Sequence, residues 1–195
     1  MISAGDDASK WISHGERLVY DTDWVKLQLA DVSPPSGDRH DHHIVTLKPA
    51  VLIILLDASR QRILMTRRHR FVHDTWSWEI PGGLIEPDEA AIDAAVRELR
   101  EETGYRAGRV YPVLTYEPMV GSIRSAHHLF VAYDAEFAGQ PTERDEGRFE
   151  WVSLAEAGAM VTAGDIFAVG TVAAVLYLLA FGRPDHAGPQ AKADG

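Results

Sequence analysis

One 23-residue run, over residues 83–105, constrains this chain more than any other part of it. It reads GLIEPDEAAIDAAVRELREETGY, and the order of its residue types predicts a helix with defined ends. Pro87 and Asp88 mark the helix start, with Asp88 as the predicted N-cap, because a short acidic side chain there can accept from free backbone N–H groups. Gly104 predicts the left-handed residue that ends the helix.

Two stripes of side chains, one apolar and one acidic, run along that predicted helix. Apolar residues at helical spacing predict the side that packs against the core: Ile92, Val96 and Leu99. Three neighbouring carboxylates lie beside them: Glu98, Glu101 and Glu102. Clustered carboxylates raise each other's pKa unless a cation joins them, and such hard oxygen ligands suit Mg²⁺, with Mn²⁺ as second choice. The sequence therefore predicts a divalent-metal site, and the alternative is an ordinary solvated acidic face.

The same run resembles, position for position, the box of the Nudix hydrolases. That box has a glycine, five residues, a glutamate, seven residues, and then Arg-Glu-aliphatic-x-Glu-Glu-x-Gly-aliphatic. The matching positions in this chain are Gly83, Glu89, Arg97, Glu98, Leu99, Glu101, Glu102, Gly104 and Tyr105. Only Tyr105 departs, being aromatic where a bulky aliphatic is usual. The resemblance implies an α/β fold, the Nudix α/β/α sandwich with a mixed sheet, preceded here by an N-terminal β-hairpin.

The activity that this resemblance implies is Mg²⁺-dependent hydrolysis of the pyrophosphate of a nucleoside diphosphate linked to a group X. It also implies that the box carboxylates and one backbone carbonyl hold the metal: Glu98, Glu101, Glu102 and Gly82. In the same way, Arg97 would orient the glutamates for catalysis, and Glu89 would brace the helix start. The alternative for Arg97 and Glu89 is a charge pair that only stabilises the helix end.

The resemblance implies a general base from outside the box. In family members that act on ADP-ribose, the base comes from a mobile loop late in the sheet, and here that loop is residues 140–148. Glu146 is the first candidate because it lies just before the strand predicted to begin at Phe149, and Glu143 is the second. For any one acid of this loop, Asp145 included, the alternative is a solvated side chain.

Residues that flank the box resemble those of ADP-ribose pyrophosphatases. Residues 67–71 (RRHRF) resemble their Arg-Gln-Tyr-Arg-aromatic stretch, and residues 78–83 (WEIPGG) resemble their Glu-Leu-Pro-Ala-Gly. The resemblance implies that Arg70 contacts phosphate and that Glu79 bonds the ribose or base side, the alternative being a cross-strand pair. Residues 117–121 (EPMVG) depart from the usual Ser-Pro-Gly.

ADP-ribose is therefore the expected substrate, to be cleaved to AMP and ribose 5-phosphate. Two alternatives stay open. One is a Nudix hydrolase of another nucleotide, such as a dinucleoside polyphosphate, a GDP-sugar or a damaged nucleoside triphosphate. The other is a Nudix fold kept as a ligand sensor without catalysis, against which the complete set of box carboxylates argues.

Three segments are predicted along the chain. Residues 1–45 form an N-terminal hairpin and dimerisation segment, residues 46–183 the Nudix domain, and residues 184–195 a disordered tail. In the resembling subgroup the hairpin, here residues 18–29, exchanges between subunits and supplies an aromatic that stacks on adenine. Trp24 and Tyr20 are the candidates, and we expect a homodimer. Residues 38–43 (DRHDHH) are predicted to be a flexible polar loop rather than a zinc site.

The central strand is predicted over residues 46–56, where a continuous apolar run indicates burial on both faces. A strand over residues 62–67 should pair with it. Further strands are predicted over 76–80, 110–117, 127–133 and 149–152, and helices over 154–161 and 165–181. The apolar segment 166–181 is shorter than a bilayer span and is predicted to be a buried or interface helix.

Composition excludes several classes of protein. The chain has no cysteine, so disulfides, thiolate metal sites and cysteine nucleophiles are excluded. Its net charge of −10 argues against nucleic acid as a partner, since nonspecific binding needs a basic surface. The N-terminal residues show no signal-peptide pattern and no membrane span is predicted, so we expect a cytoplasmic protein. The family resemblance implies a small nucleotide as its substrate.

Overall fold

A computed structural model describes residues 9–143 and 147–184. Glu146, Asp145 and the predicted tail beyond Pro184 lie outside the described residues. The chain divides into two compact units, one of residues 1–48 with 119–125 and the other of residues 49–118 with 126–195.

The described residues form thirteen strands and three helices. The strands are β1 (Ile12–Asp21), β2 (Val25–Ser33), β3 (His40–Leu47), β4 (Ala50–Leu55), β5 (Arg62–Arg70), β6 (Thr75–Glu79), β7 (Gly82–Leu84), β8 (Tyr105–Arg106), β9 (Arg109–Tyr116), β10 (Ile123–Arg124), β11 (His127–Tyr133), β12 (Glu136–Phe137) and β13 (Arg148–Ser153). The helices are α1 (Ala91–Thr103), α2 (Leu154–Ala163) and α3 (Val169–Phe181).

The first unit is a four-stranded sheet in the order β1-β2-β3-β10. The hairpin is present and longer than predicted, because β1 and β2 together run from residue 12 to residue 33. Its turn is held by the Thr22 hydroxyl, which donates to the carbonyl of Val25 at 3.1 Å and accepts from the Val25 N–H at 3.1 Å.

Two predictions for the segment after the hairpin were wrong. The expected flexible loop over 38–43 is largely strand, since β3 begins at His40 and pairs with β2, with Leu29 opposite His43. The single strand expected over 46–56 is two strands, β3 and β4, which belong to different units. Pro49 lies at the break, where it has no N–H to continue a ladder.

The second unit is an α/β/α sandwich, as predicted. Its mixed sheet has the order β7-β4-β11-β9, with β4 and β11 parallel, and a second sheet has the order β13-β5-β6. Alternate residues of β4 enter two cores: Ile53 packs with Leu99 of α1, whereas Ile54 packs with Val175 of α3. Helix α1 therefore covers one face of the central strands, and α2 and α3 cover the other.

Strand β5 does not pair with β4 as expected, apart from an isolated bridge between Leu56 and Ile63; it lies between β6 and β13. Helix α3 begins at Val169, four residues later than predicted. One side of this helix is buried, including Ala174 and Leu178. None of the helices within residues 9–143 and 147–184 combines the length and apolar character needed to cross a membrane.

Helix α1 corrects two further expectations. Its N-cap is Ala90 rather than Asp88, which has φ 63° and belongs to the preceding turn. Of the predicted apolar stripe only Leu99 is buried, whereas Ile92 and Val96 are 42% and 40% exposed. The helix ends at Gly104 with φ 75°, as predicted.

Candidate active site

The box carboxylates project from the face of α1 that meets the glycine turn before the helix. A side-chain carbon on Gly83 would collide with the carboxylate of Glu98, and one on Gly82 would collide with the Val51 carbonyl oxygen. These two positions therefore need glycine, because the backbone of β7 runs directly over the acids and over β4.

Glu98 is the buried acid at the centre of the site. Burial raises its pKa, against the hydrogen bond and charge of Arg97, and the negative charges of Glu143 and Glu101 raise it further. Nη1 of Arg97 donates to Glu98 Oε1 at 2.8 Å and to Glu101 Oε2 at 2.9 Å. The protein thus keeps two carboxylates side by side with one guanidinium as their shared partner.

Glu143 joins this pair from the distant loop. One ligand oxygen from each of Glu98, Glu101 and Glu143 lies within 4.8 Å of the other two. The loop reaches the helix through its backbone, since the N–H groups of Thr142 and Glu143 donate to the Glu101 carbonyl at 2.9 and 3.2 Å. Within the described residues, this is the group of acids that could hold a metal ion; Glu146 falls in the undescribed gap.

Glu102, a predicted metal ligand, is nearly fully buried and is not one of the three acids whose ligand oxygens lie within 4.8 Å of one another. Its Oε2 accepts from the Gly82 N–H at 2.9 Å, and its Oε1 accepts from Nη2 of Arg68 at 3.2 Å. Arg68 was missed in the sequence. The alternation of side chains along a strand could have found it, because Arg68 and Arg70 fall on one face of β5.

Arg97 and Glu89 form the ion pair that the sequence allowed. Nε and Nη2 of Arg97 donate to the two Glu89 oxygens at 2.8 and 2.9 Å, and Glu89 also accepts from the Glu86 N–H at 3.0 Å. The hydrogen bonds from Arg97, and after them the one from the Glu86 N–H, lower the pKa of Glu89 to about 2. The hydrogen bonds to the surrounding glutamates raise the pKa of Arg97. Arg97 thus connects the turn before α1 to Glu98 and Glu101.

Arg70 and Glu79 lie on neighbouring strands and bond each other. Nε of Arg70 donates to Glu79 Oε1 at 2.8 Å, and its Nη2 donates to Oε2. Both residues line a cavity of about 150 Å³ that also reaches Gly82, Gly83 and Arg68. The cross-strand pair is therefore present, and contact of either residue with substrate stays a prediction.

The two hairpin aromatics are in the first unit. Tyr20 lies in β1 and Trp24 in the turn after it, and both rings are largely exposed. The ammonium of Lys48 lies 5.2 Å from the centroid of the Trp24 ring. Their predicted contact with a nucleotide stays a prediction.

Comparison with known proteins gives consistent matches. The NUDIX domain profile matches residues 46–172. A CMP-5'-(N-acetyl-N-hydroxy-3-aminopropyl)phosphonate hydrolase from Streptomyces rubellomurinus is 42% identical over 174 residues, which cover 89% of this chain and 84% of the relative. An ADP-ribose pyrophosphatase from Bacillus subtilis is 28% identical over 157 residues, which cover 79% and 84% of the two chains. The crystal structure of an ADP compounds hydrolase matches with a TM-score of 0.76 at 20% identity over 92% of this chain and 100% of that chain, a likeness of fold.

Proposed function

This chain belongs to the Nudix hydrolase family, and from that premise we propose that it hydrolyses the pyrophosphate of a nucleoside diphosphate-X, with ADP-ribose as the first substrate to test. The products would be AMP and ribose 5-phosphate. The similarity to the Bacillus subtilis ADP-ribose pyrophosphatase supports this choice. The chemistry itself is carried by one observation, the carboxylate group at the glycine turn.

The residues present fit a divalent ion. Glu98, Glu101 and Glu143 offer three hard oxygen donors within reach of one another, and burial of Glu98 makes its charge costly without a cation. Glu98 and Glu101 would hold Mg²⁺ or Mn²⁺, with Glu102 and the Gly82 carbonyl as further predicted ligands, and Glu143 lies close enough to take a proton from a water bound there. When bound, such an ion neutralises phosphate oxygens and lowers the pKa of a coordinated water.

The remaining roles belong to side chains of this chain. Arg97 orients Glu98 and Glu101 through its two bonds to them. Glu143 or Glu146, in the same loop, accepts the proton of the attacking water; the position of Glu143 beside Glu98 and Glu101 favours Glu143. Arg70 would donate to a phosphate oxygen through its planar group, with Glu79 holding the ribose or base side.

A second candidate substrate is a nucleoside monophosphate joined to a phosphonate. The observation that favours it is the 42% identity to the hydrolase of a CMP-linked phosphonate, over most of both chains. The carboxylate group would serve either substrate, since both present phosphorus oxygens to the same site. The two candidates differ in the nucleobase and in X.

A substrate panel tests the proposal. The purified chain is given ADP-ribose, ADP-glucose, GDP-mannose, NADH, diadenosine polyphosphates, 8-oxo-dGTP and the CMP-linked phosphonate, each with Mg²⁺, and released nucleotides are separated by chromatography. We expect ADP-ribose to give the highest kcat/KM, and a chelator to abolish turnover until Mg²⁺ or Mn²⁺ is restored. A higher kcat/KM for the phosphonate than for ADP-ribose would make the phosphonate the preferred substrate. No turnover of any compound would refute the proposed hydrolase activity.

We further propose a cytoplasmic homodimer. The exposed apolar side chains of β1 support the dimer, because they leave a surface that a partner could cover. In that dimer Trp24 and Tyr20 would reach the nucleotide bound to the partner subunit.

A further inference from the structure

A cavity of about 480 Å³ lies between the turn after β5 and the start of α3. Its walls are largely apolar, from Phe71, Val72, Phe167 and Val169, and Arg70 and Glu79 also line it. Small-molecule sites have volumes of about 300–1,000 Å³ and combine apolar walls with a few polar groups, so this cavity has the size and lining of one.

The first wall of the cavity is a well-bonded turn. The His73 N–H donates to the Arg70 carbonyl at 3.0 Å, and the Asp74 N–H donates to the Phe71 carbonyl at 3.2 Å. The side chains of His69 and Asp74 also bond each other, at 3.2 Å. These contacts hold the turn beside β5 without any ligand.

The opposite wall is fixed to β6 and to the residue that follows it. The Trp78 N–H donates to the Asp165 carbonyl at 3.0 Å, and the Ile80 N–H donates to the Thr171 hydroxyl at 3.2 Å. The His73 ring meets the Phe167 ring edge-on, with centroids 5.8 Å apart, which joins the two walls. The cavity is therefore preformed, which lowers the entropic cost of binding.

This cavity adjoins the smaller cavity that reaches the glycine turn of the box. It shares Arg70, Glu79 and Ala168 with the 150 Å³ cavity, and that smaller cavity reaches the glycine turn against which Glu98 lies. A molecule whose phosphates lie at the carboxylates can thus extend along the Arg70–Glu79 pair into the apolar cavity.

The exposed rings at its rim indicate what the molecule carries there. Phe71 is 84% exposed, and Phe167 is 41% exposed beside the His73 ring that it meets edge-on. A nucleobase has a flat π face that stacks on such rings and an edge that bonds a guanidinium or carboxylate. A bare sugar, being covered in hydroxyl groups, would match the Arg70–Glu79 pair and leave the apolar walls without a partner.

We propose that this cavity binds the nucleobase of the substrate, with Phe71 and Phe167 as its stacking walls, supplied by the same chain that carries the box. The inference rests on the proposed function, because it assigns one half of the nucleotide substrate. It adds residues that decide nucleotide affinity: Phe71, the aromatic that ends the RRHRF stretch, and Phe167, which lies outside every motif identified in the sequence.

Binding of AMP and of ribose 5-phosphate, measured by calorimetry with Mg²⁺ present, tests it without turnover. Ribose 5-phosphate carries the phosphate but no base. Phe71→Ala and Phe167→Ala are compared with Phe181→Ala, a control at the far end of α3 whose ring is exposed and outside the cavity. We expect each cavity variant to weaken AMP at least about fivefold while ribose 5-phosphate changes less than about twofold, and the control to change neither.

Three results would overturn the inference: unchanged AMP affinity in both cavity variants, equal weakening of AMP and ribose 5-phosphate, or weakening of AMP by Trp24→Ala alone, which would place the base at the hairpin. Circular dichroism confirms that each variant is folded. If wild type binds AMP in the cavity yet cleaves no nucleotide of the panel, the inference stands and the proposed function falls. If wild type cleaves ADP-ribose and both cavity variants keep the wild-type kcat/KM, the proposed function stands and the inference about the cavity falls.

Discussion

Helix α1 buries two carboxylates, with Glu98 and Glu102 only 7% and 2% exposed, whereas strand β1 leaves Leu18, Val19 and Tyr20 50–56% exposed. Each region departs from the usual distribution of polar and apolar residues, in opposite directions. A buried charge costs several kcal/mol unless it is paired, and an exposed apolar row favours association. We infer that such departures mark the places where a chain meets something else, and we propose a cation and phosphates at α1 and a second protein surface at β1.

The first way to break this comparison is Glu98→Gln. The variant keeps shape and helix propensity but removes the charge at the centre of the carboxylate group, so we expect kcat to fall by about 100-fold or more. Glu102→Gln should also remove most turnover, as a predicted ligand. Glu136→Gln is the matched control, since Glu136 is exposed and its ion pair with Arg106 is long, at 4.0 Å. Near-normal turnover of both box variants in Mg²⁺ would refute the metal-site assignment.

The second test concerns the loop that meets α1. Glu143→Gln should lower kcat by about 100-fold, the lower end for a general base, with little change in KM. Glu146→Gln is measured beside it, because the sequence favours Glu146 and the structure brings Glu143 to Glu98 and Glu101. A larger loss in Glu146→Gln would return the role to Glu146. If neither variant loses activity, the base lies within the box itself.

Local features of this fold could be predicted from the sequence, whereas contacts between distant residues could not. The box, the end of α1 at Gly104 and the sandwich were predicted, because caps, spacing and apolar runs are encoded within a few residues. The approach of Glu143 to Glu101 spans 42 positions and depends on a backbone bond that no local pattern records. Arg68 was missed although strand alternation could have marked it, whereas Phe167 had no signal beyond its apolar neighbours.

The burial of α1 shows a second limit. A period of 3.6 residues tells which side chains share a face, but not which of two adjacent faces enters the core. Here the small residues Ala94 and Ala95 let α1 pack closely on the sheet, and the acids are buried beside them. Because that face enters the core, the side chains of Ile92 and Val96 stay partly exposed to solvent.

That outcome predicts unequal costs along one helix. Leu99→Ala removes a fully buried side chain and should lower the free energy of unfolding by about 2–5 kcal/mol. Ile92→Ala, on the exposed side, should cost less than about 1 kcal/mol. Urea unfolding followed by circular dichroism measures both. Equal costs would mean that Ile92 is covered in solution.

The smallest expected effect lies in the hairpin, where the comparison can be sharpened without touching the box. If a second copy covers β1, wild type should sediment at about twice the 21.5 kDa chain mass at micromolar concentration. Leu18→Arg would place a charge in that contact and should give a monomer. Trp24→Ala should leave the dimer intact and raise KM by less than about tenfold, because one stacking face is lost while the carboxylates are unchanged. Arg17→Ala is the control for a change on the neighbouring residue, since its side chain is exposed and pairs with Asp41 of the same unit. A full-length chain that sediments as a monomer with full activity would rule out the shared site and leave the exposed row of β1 without a functional role.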